Sequence, residues 1–410
     1  MKKTNLISLL LCLTLLAACL SGCGSAPAAV KETENPAPAE TPAPAETPAP
    51  TQAPADTPEE TPDPETQARI ARYKAAYEKY APDTVVMRVN DQPITWSQYY
   101  SWIYDICSQI EPAYDITDWN APREEIASYV PDGTFGSYVR KTALGYIVQI
   151  AVIEQKAKEL GIELSEEQRA QLQATMDGYA ERFGGQEAFE KLLTDNYVSP
   201  EYFRAQNEAT YLINNIFENM YGVDGSDLPD ADAVAYVKDC GYLYAKHILF
   251  RTVDDNRSPL PDDEIAQKKA EAEQVLAELL SCPPEDLPER FDSLMQQYSE
   301  DTGLLKNPDG YYFVAGQMVP EFEEAVRGLE ENGLSGIVET DYGYHIIFTP
   351  PMQGDHIMGY DSNLQPYTPK AFTSSALFKN ITNEWYTSAE YNVQYVGDFM
   401  DLDLNELFGL

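Results

Sequence analysis

The chain has 410 residues and a formal charge of -39, with 28 Lys and Arg against 67 Asp and Glu. Such a surface repels phosphate backbones and offers no basic stripe, which excludes nucleic acid as a partner; it suits solubility and attracts basic, unfolded chains. Of six cysteines, three fall in the first 23 residues, and the remaining Cys107, Cys240 and Cys282, odd in number and without close spacing, form neither a disulfide framework nor a zinc site; no phosphate loop, His-Glu-x-x-His helix or Gly-x-Ser-x-Gly elbow occurs, so nucleotide and hydrolase chemistry drop out and no metal or cofactor is expected.

The first residues read as a targeting segment. Lys2 and Lys3 precede an apolar run from Leu6 to Leu20, shorter than the roughly 20 residues a membrane span needs. It ends in Leu20-Ser21-Gly22-Cys23, which resembles the bacterial lipobox. The resemblance implies a signal peptide over 1–22 and a diacylglyceryl-modified Cys23 as the mature N-terminus. The expected location is therefore the outer face of the cytoplasmic membrane, held by a lipid anchor, because several acyl chains on one residue bind firmly where one chain binds marginally.

Residues 23–66 are dominated by Pro, Ala, Thr and Glu, with Pro36–Thr41 repeated at once as Pro42–Thr47. Too few large apolar side chains are present to offset ordering entropy, so this stretch is expected to be a disordered, extended tether. A mostly helical domain follows over 67–240. Residues 84–96 predict a short strand, a turn at Asn90-Asp91 and entry into a helix, with Thr95 and Gln98 at the capping-box spacing and Trp96, Tyr99, Ile103 and Ile106 on one face. A second helix is expected over 137–160, stopped at Gly161; Ser165 and Gln168 open a third, and Ser199-Pro200 a fourth.

After Asp239 the period changes from helical to alternating. Residues 242–250 predict a strand, 262–280 an amphipathic helix, and 336–340 with 344–348 a closing hairpin, which makes 241–351 an α+β domain. In the final segment, 352–410, Phe378, Ile381, Trp385 and Ala389 mark a helix whose apolar face is expected to pack back on the helical domain. Cys107, Cys240 and Cys282 read as packing residues, with a pair among them left open.

Four words of the 241–351 segment occur in one order: Ala245-Lys-His-Ile-Leu249, Tyr298-Ser-Glu-Asp301, Phe313-Val-Ala-Gly-Gln-Met-Val-Pro-Glu-Phe322 and Thr340-Asp-Tyr-Gly-Tyr-His-Ile-Ile347. In content and order they resemble parvulin-type peptidyl-prolyl cis/trans isomerase domains. The flanking helical segment and last helix resemble the chaperone region of PrsA and SurA-type foldases, in which the N-terminal segment and the C-terminal helix join into one domain with the parvulin module inserted.

The resemblance implies catalytic roles for His247, Asp301, His345 and Thr340: two histidines on neighbouring strands, an acid where parvulins carry Cys or Asp, and a hydroxyl joined to the histidines. It implies substrate-binding roles for Met318, Phe322, Phe313, Gln317 and Tyr311. Many parvulins carry Gly-Asp-Leu-Gly before the aromatic at Phe313; here Gly310 stands in place of the leucine, which leaves Tyr311 or Tyr312 to fill the pocket. The implied partners are unfolded or partly folded exported proteins with X-Pro bonds, and homodimerisation is left open. The rival is a tethered holdase with a degenerate parvulin scaffold.

Lipid modification is checked directly. Mass spectrometry of the membrane-extracted protein should find an N-terminal peptide that begins at acylated Cys23; an unmodified cysteine there would reject the anchor.

Overall fold

The computed structural model describes residues 63–388 and 392–410. Of these, one compact unit takes the residues up to Ile216 and those from Ile381 onward, and a second takes Phe217–Asn380. The change-overs fall near 216 and 380, and packing explains why. Phe217 and Tyr221 meet Phe378 edge-on, with Phe217 at 5.3 Å, and Val237 packs with Tyr244, Tyr312 and Met358.

The first unit begins with α1, Pro64–Tyr77, inside the stretch expected to be a tether. Asp63 accepts from the Thr66 amide at 2.9 Å, Pro64 opens the first turn where no amide is needed, and Glu65 favours the positive helix end. Strands β1, Val85–Val89, and β2, Gln92–Thr95, form a hairpin through Asn90, whose φ of 54° is one Asn tolerates. Thr95 and Gln98 then cap α2, Trp96–Tyr114, in a complete capping box. Helix α3, Phe135–Leu160, starts two residues before the expected Ser137 because Thr134 is its cap, and it ends on Gly161 at φ 68°. Helices α4, Glu166–Arg182, α5, Gln186–Asp195, and α6, Pro200–Tyr221, complete the helical part.

The end of the chain returns to this unit. Strand β9, Val393–Tyr395, pairs with β1, so that Met87 faces Tyr395, and Phe408 of the short helix α12, Leu404–Phe408, meets Tyr73 edge-on at 5.0 Å. Trp385 lies under the Lys156 ammonium at 5.7 Å, so its face is covered by α3; Ala389 lies outside the described residues, as does Cys23.

In the second unit, α7, Asp230–Asp239, leads into β3, Leu243–Arg251. Helices α8, Asp262–Ser281, and α9, Leu287–Tyr298, follow, then β4, Tyr311–Phe313, and α10, Pro320–Arg327. The hairpin β5, Gly333–Thr340, and β6, Gly343–Thr349, comes next. A two-residue-strand hairpin, β7 Gly359–Tyr360 and β8 Pro366–Tyr367, precedes α11, Pro369–Thr387. The main sheet is antiparallel in the order β4-β3-β6-β5. Alternation divides its faces. Ile248, Phe250, Tyr344, Ile346 and Phe348 pack on α8 and α9, while Ala245 and Ile347 pack on Phe313 and on Phe322 and Val326 of α10. Gly343 sits at φ 144° where a Cβ would stand 2.1 Å from the Phe250 carbonyl oxygen, so only glycine lets the hairpin close on β3.

The architecture is thus α+β, a small antiparallel sheet with surrounding helices inserted, in chain order, between the two segments of a mostly helical unit. One cysteine departs from the packing reading. Cys107, Cys240 and Cys282 are all free; Cys107 is buried and Cys282 half-buried, but Cys240 is exposed at the end of α7.

Phe291 of α9 is fully buried against Phe348, with ring centroids 5.2 Å apart. Phe291→Ala should destabilise the second unit by about 3–5 kcal/mol, read as an earlier urea transition that leaves the first unit's transition in place; coincident loss of both would count against the division.

Candidate active site

The β3–β6 register creates the site. His247 lies opposite Ile347 and Leu249 opposite His345, so the two histidines are diagonal neighbours on one sheet face. Their rings lie nearly parallel at 10°, and their Nδ1 atoms approach to 2.9 Å. His247 Nε2 meets Asp301 Oδ2 at 2.8 Å, and His345 Nε2 meets Thr340 Oγ1 at 2.9 Å. Thr340 Oγ1 also accepts from the Tyr342 amide at 3.1 Å, within the turn that joins β5 to β6.

Asp301 is delivered by a segment that substitutes for a strand beside β3. Ser299 Oγ accepts from the Leu249 amide, the Glu300 amide donates to the Leu249 carbonyl at 2.8 Å, and the Glu300 carboxylate accepts from the Arg251 amide at 2.8 Å. Lys268 of α8 holds that same carboxylate at 2.5 Å. Asp301 then caps the short 3-10 turn Thr302–Leu305 through the Gly303 amide.

The protonation of the chain follows from counting. Burial is the largest single influence on Asp301 and pushes its carboxyl up, but hydrogen bonds from His247 and Tyr311, the His247 charge and the Gly303 amide outweigh it and hold it at about 2. Burial first, and then repulsion from His247, holds His345 down at about 3. With Asp301 ionised, His247 Nε2–H must donate to it, and with His345 neutral the Nδ1–Nδ1 contact carries one proton, so that His345 Nε2 and Thr340 Oγ1 complete the chain.

Beside this chain lies an apolar wall. Phe322 is buried and meets His247 edge-on at 5.2 Å and His345 at 5.6 Å; Phe313 stands 6.0 Å from Phe322, and Met318 packs on the same cluster. Gln317 is exposed, and its side-chain oxygen accepts from the Val314 amide at 2.9 Å, which turns it onto its own loop. The structure thus gathers His247, His345, Asp301, Thr340, Tyr311, Phe313, Met318 and Phe322 in one place and leaves Gln317 at its rim.

Two features were not anticipated from the sequence. Tyr311 reaches Asp301 with its hydroxyl at 2.5 Å, whereas Tyr312, one residue on, points to the other side and stacks on Tyr244 at 4.4 Å. Strand alternation was the available signal. His356 is not part of the site; it meets the Tyr244 hydroxyl at 3.2 Å. Among the described residues no group of His, Cys, Asp and Glu is arranged to hold a metal ion.

This is the geometry of a rotamase domain carried with a helical partner domain, and sequence comparison agrees. Residues 247–349 match the model of the PPIC-type PPIase domain family and residues 72–217 that of the SurA-like N-terminal domain family. The chain is 27% identical over 218 residues to foldase protein PrsA of Oceanobacillus iheyensis, an alignment that covers 50% of this chain and 58% of that protein. It is 50% identical over 58 residues to foldase protein PrsA 1 of Bacillus cereus, which covers 14% and 20%. The chain spans about half the length of the curated relatives it matches. A crystal structure of peptidylprolyl isomerase (PrsA) from Bacillus cereus aligns over 80% of this chain and 99% of that one, with 18% identity and a TM-score of 0.25.

The depressed His345 has a thermodynamic consequence. Its folded value of about 3 lies below the ordinary 6.5, so the unfolded chain binds the proton that the fold refuses. The stabilisation from a neutral His345 is complete above about pH 6.5 and is lost as pH falls toward 3. His356, lowered by burial, acts in the same direction. Histidine-selective 15N spectra should show His345 neutral down to about pH 4, and His345→Gln should flatten the fall in unfolding temperature below about pH 6.5; an imidazolium signal for His345 near neutral pH would overturn the assignment.

Proposed function

We propose that the protein is a parvulin-type peptidyl-prolyl cis/trans isomerase and foldase for exported proteins, held by a lipid anchor at Cys23 on the outer face of the cytoplasmic membrane. The observation that carries the catalytic part is the conjunction of the His247–His345–Asp301 chain with an apolar wall of Phe313, Met318 and Phe322 directly beside it. The anchor rests on the Leu20-Ser21-Gly22-Cys23 run, and the Pro-rich residues 23–62 fit a spacer between anchor and folded units. Unfolded or partly folded chains with X-Pro bonds are the proposed clients.

Rotation about the X-Pro bond must cross a resonance barrier of roughly 18–20 kcal/mol. No bond is made or broken, so the work is differential binding of the twisted amide. The apolar wall would seat the proline ring. Asp301, ionised and only partly exposed, would then act on the amide through its field, since charge moves away from the planar arrangement as the double-bond character is lost. The two histidines fix that carboxylate in place rather than consume or supply a proton.

The chaperone part draws on the first unit. A recess of about 270 Å³ between α4, α5 and α6 is lined by Met176, Phe189, Leu193 and Phe203, with Glu190 and Arg204 at its edge. Such a recess would take an apolar side chain of an unfolded segment. The acidic charge of the chain suits basic clients.

Exchange NMR on a short proline peptide, with the full chain in detergent, tests the reading. Met318→Ala and Phe322→Ala should weaken peptide binding, each removing contact worth ~2 kcal/mol, and Asp301→Ala should lower turnover with less effect on binding. If the folded wild-type protein leaves peptide exchange at its uncatalysed rate, the isomerase reading gives way to a holdase.

A further inference from the structure

We infer that Tyr311 is a positioning residue for Asp301: its hydroxyl shares carboxylate oxygen Oδ2 with His247 and fixes the direction in which the carboxylate faces. The inference deepens the isomerase reading, on which only its effect on turnover rests. Three donors surround the group. Tyr311 OH reaches Oδ2 at 2.5 Å, His247 Nε2 reaches the same oxygen at 2.8 Å, and the Gly303 amide reaches Oδ1 at 2.9 Å. They come from β4, β3 and the turn after Asp301, so rotation of the carboxylate about its own bond would break contacts to separate elements. His345 is the remaining titratable group that faces it, through His247.

Two glycines make this possible. Gly310 has φ 100°, and a Cβ there would stand 2.9 Å from the Ala245 carbonyl oxygen, so the position ahead of Tyr311 admits no leucine in this backbone. A Cβ on Gly303 would stand 2.3 Å from the Tyr311 hydroxyl. The ring of Tyr311 also lies edge-on to His247 at 5.4 Å, within the cluster that holds Phe313 and Phe322. One side chain therefore supplies both a wall where an aliphatic residue is absent and a charge-assisted hydrogen bond to the acid. Burial and the neighbouring Asp301 carboxylate keep the Tyr311 phenol protonated far above its ordinary range, so it remains a donor.

The three histidines of the chain make the test tractable. In the full chain labelled with 15N-histidine, Tyr311→Phe keeps the ring and removes the donor. Oδ2 is then left to His247 alone and becomes more basic, so the His247 Nε2–H signal should move downfield while His356 stays as an internal reference. Tyr311→Leu should produce the same displacement, which protects the test against misfolding of either variant. In peptide exchange measurements, kcat should fall by about tenfold, with KM changed less than about twofold. Unchanged His247 signals in both variants, or a rise in KM with kcat intact, would overturn the inference. A wild-type protein without isomerase activity would remove the functional reading, and the His247 displacement would still decide the role of Tyr311.

Discussion

Two imidazoles that meet nitrogen to nitrogen at 2.9 Å can do so only if one donates and the other accepts, and that single proton orders everything around it. A second proton on the contact would set two N–H groups against each other in a buried face and leave no acceptor between them. The outer nitrogens of the two rings then need partners of their own. Asp301 and Thr340 supply them, and each is delivered by a turn whose own backbone amide is bound to that side chain. The polarity of the chain is a property of the fold rather than of any one residue.

Holding such a contact requires a rigid sheet, and the sheet is rigid because both faces are covered. β6 is buried along its whole length, with α8 and α9 on one side and α10 on the other. The histidines occupy the α10 side, where Phe322 stands against both rings and restricts them to one orientation. β3 changes neighbours partway along. β4 pairs with residues 243–245, and beyond that point Ser299 and Glu300 take the ladder positions that a longer β4 would fill. The acid is thereby tied to the same strand as the histidine it meets.

Much of this was legible in the residues. The capping boxes at Thr95 and Ser165 and the Gly161 stop stand where their spacing placed them, because these are local contacts within four residues. The four words around His247, Asp301, Phe322 and His345 come together in one site because each is a recurring local solution to the same register problem. What escaped was non-local. Strand β9 is three residues long and forms only by pairing with β1 some 300 positions earlier, so its Val-Gln-Tyr pattern carries little by itself. Cys240 looked like a packing residue by type, yet it ends a helix at a turn that faces solvent.

The stretch Asn307–Phe313 joins these threads. By residue type, the loss of a leucine at 310 reads as a gap in the pocket, and two tyrosines stand next to it. The backbone decides between them. Gly310 crosses so close to β3 that it must be glycine, which starts β4 immediately at Tyr311, and alternation then sends Tyr311 toward Asp301 and Tyr312 toward Tyr244. Tyr312 goes on to meet the Gln353 carbonyl and the cluster of Tyr244 and Met358, so it is fixed on its own side. A one-residue slip would exchange the two rings, remove the hydroxyl from Asp301 and leave it among apolar neighbours without its acceptor. The departure from the usual leucine is therefore compensated within the same seven residues, and it leaves the acid with one more donor than the histidine chain alone provides.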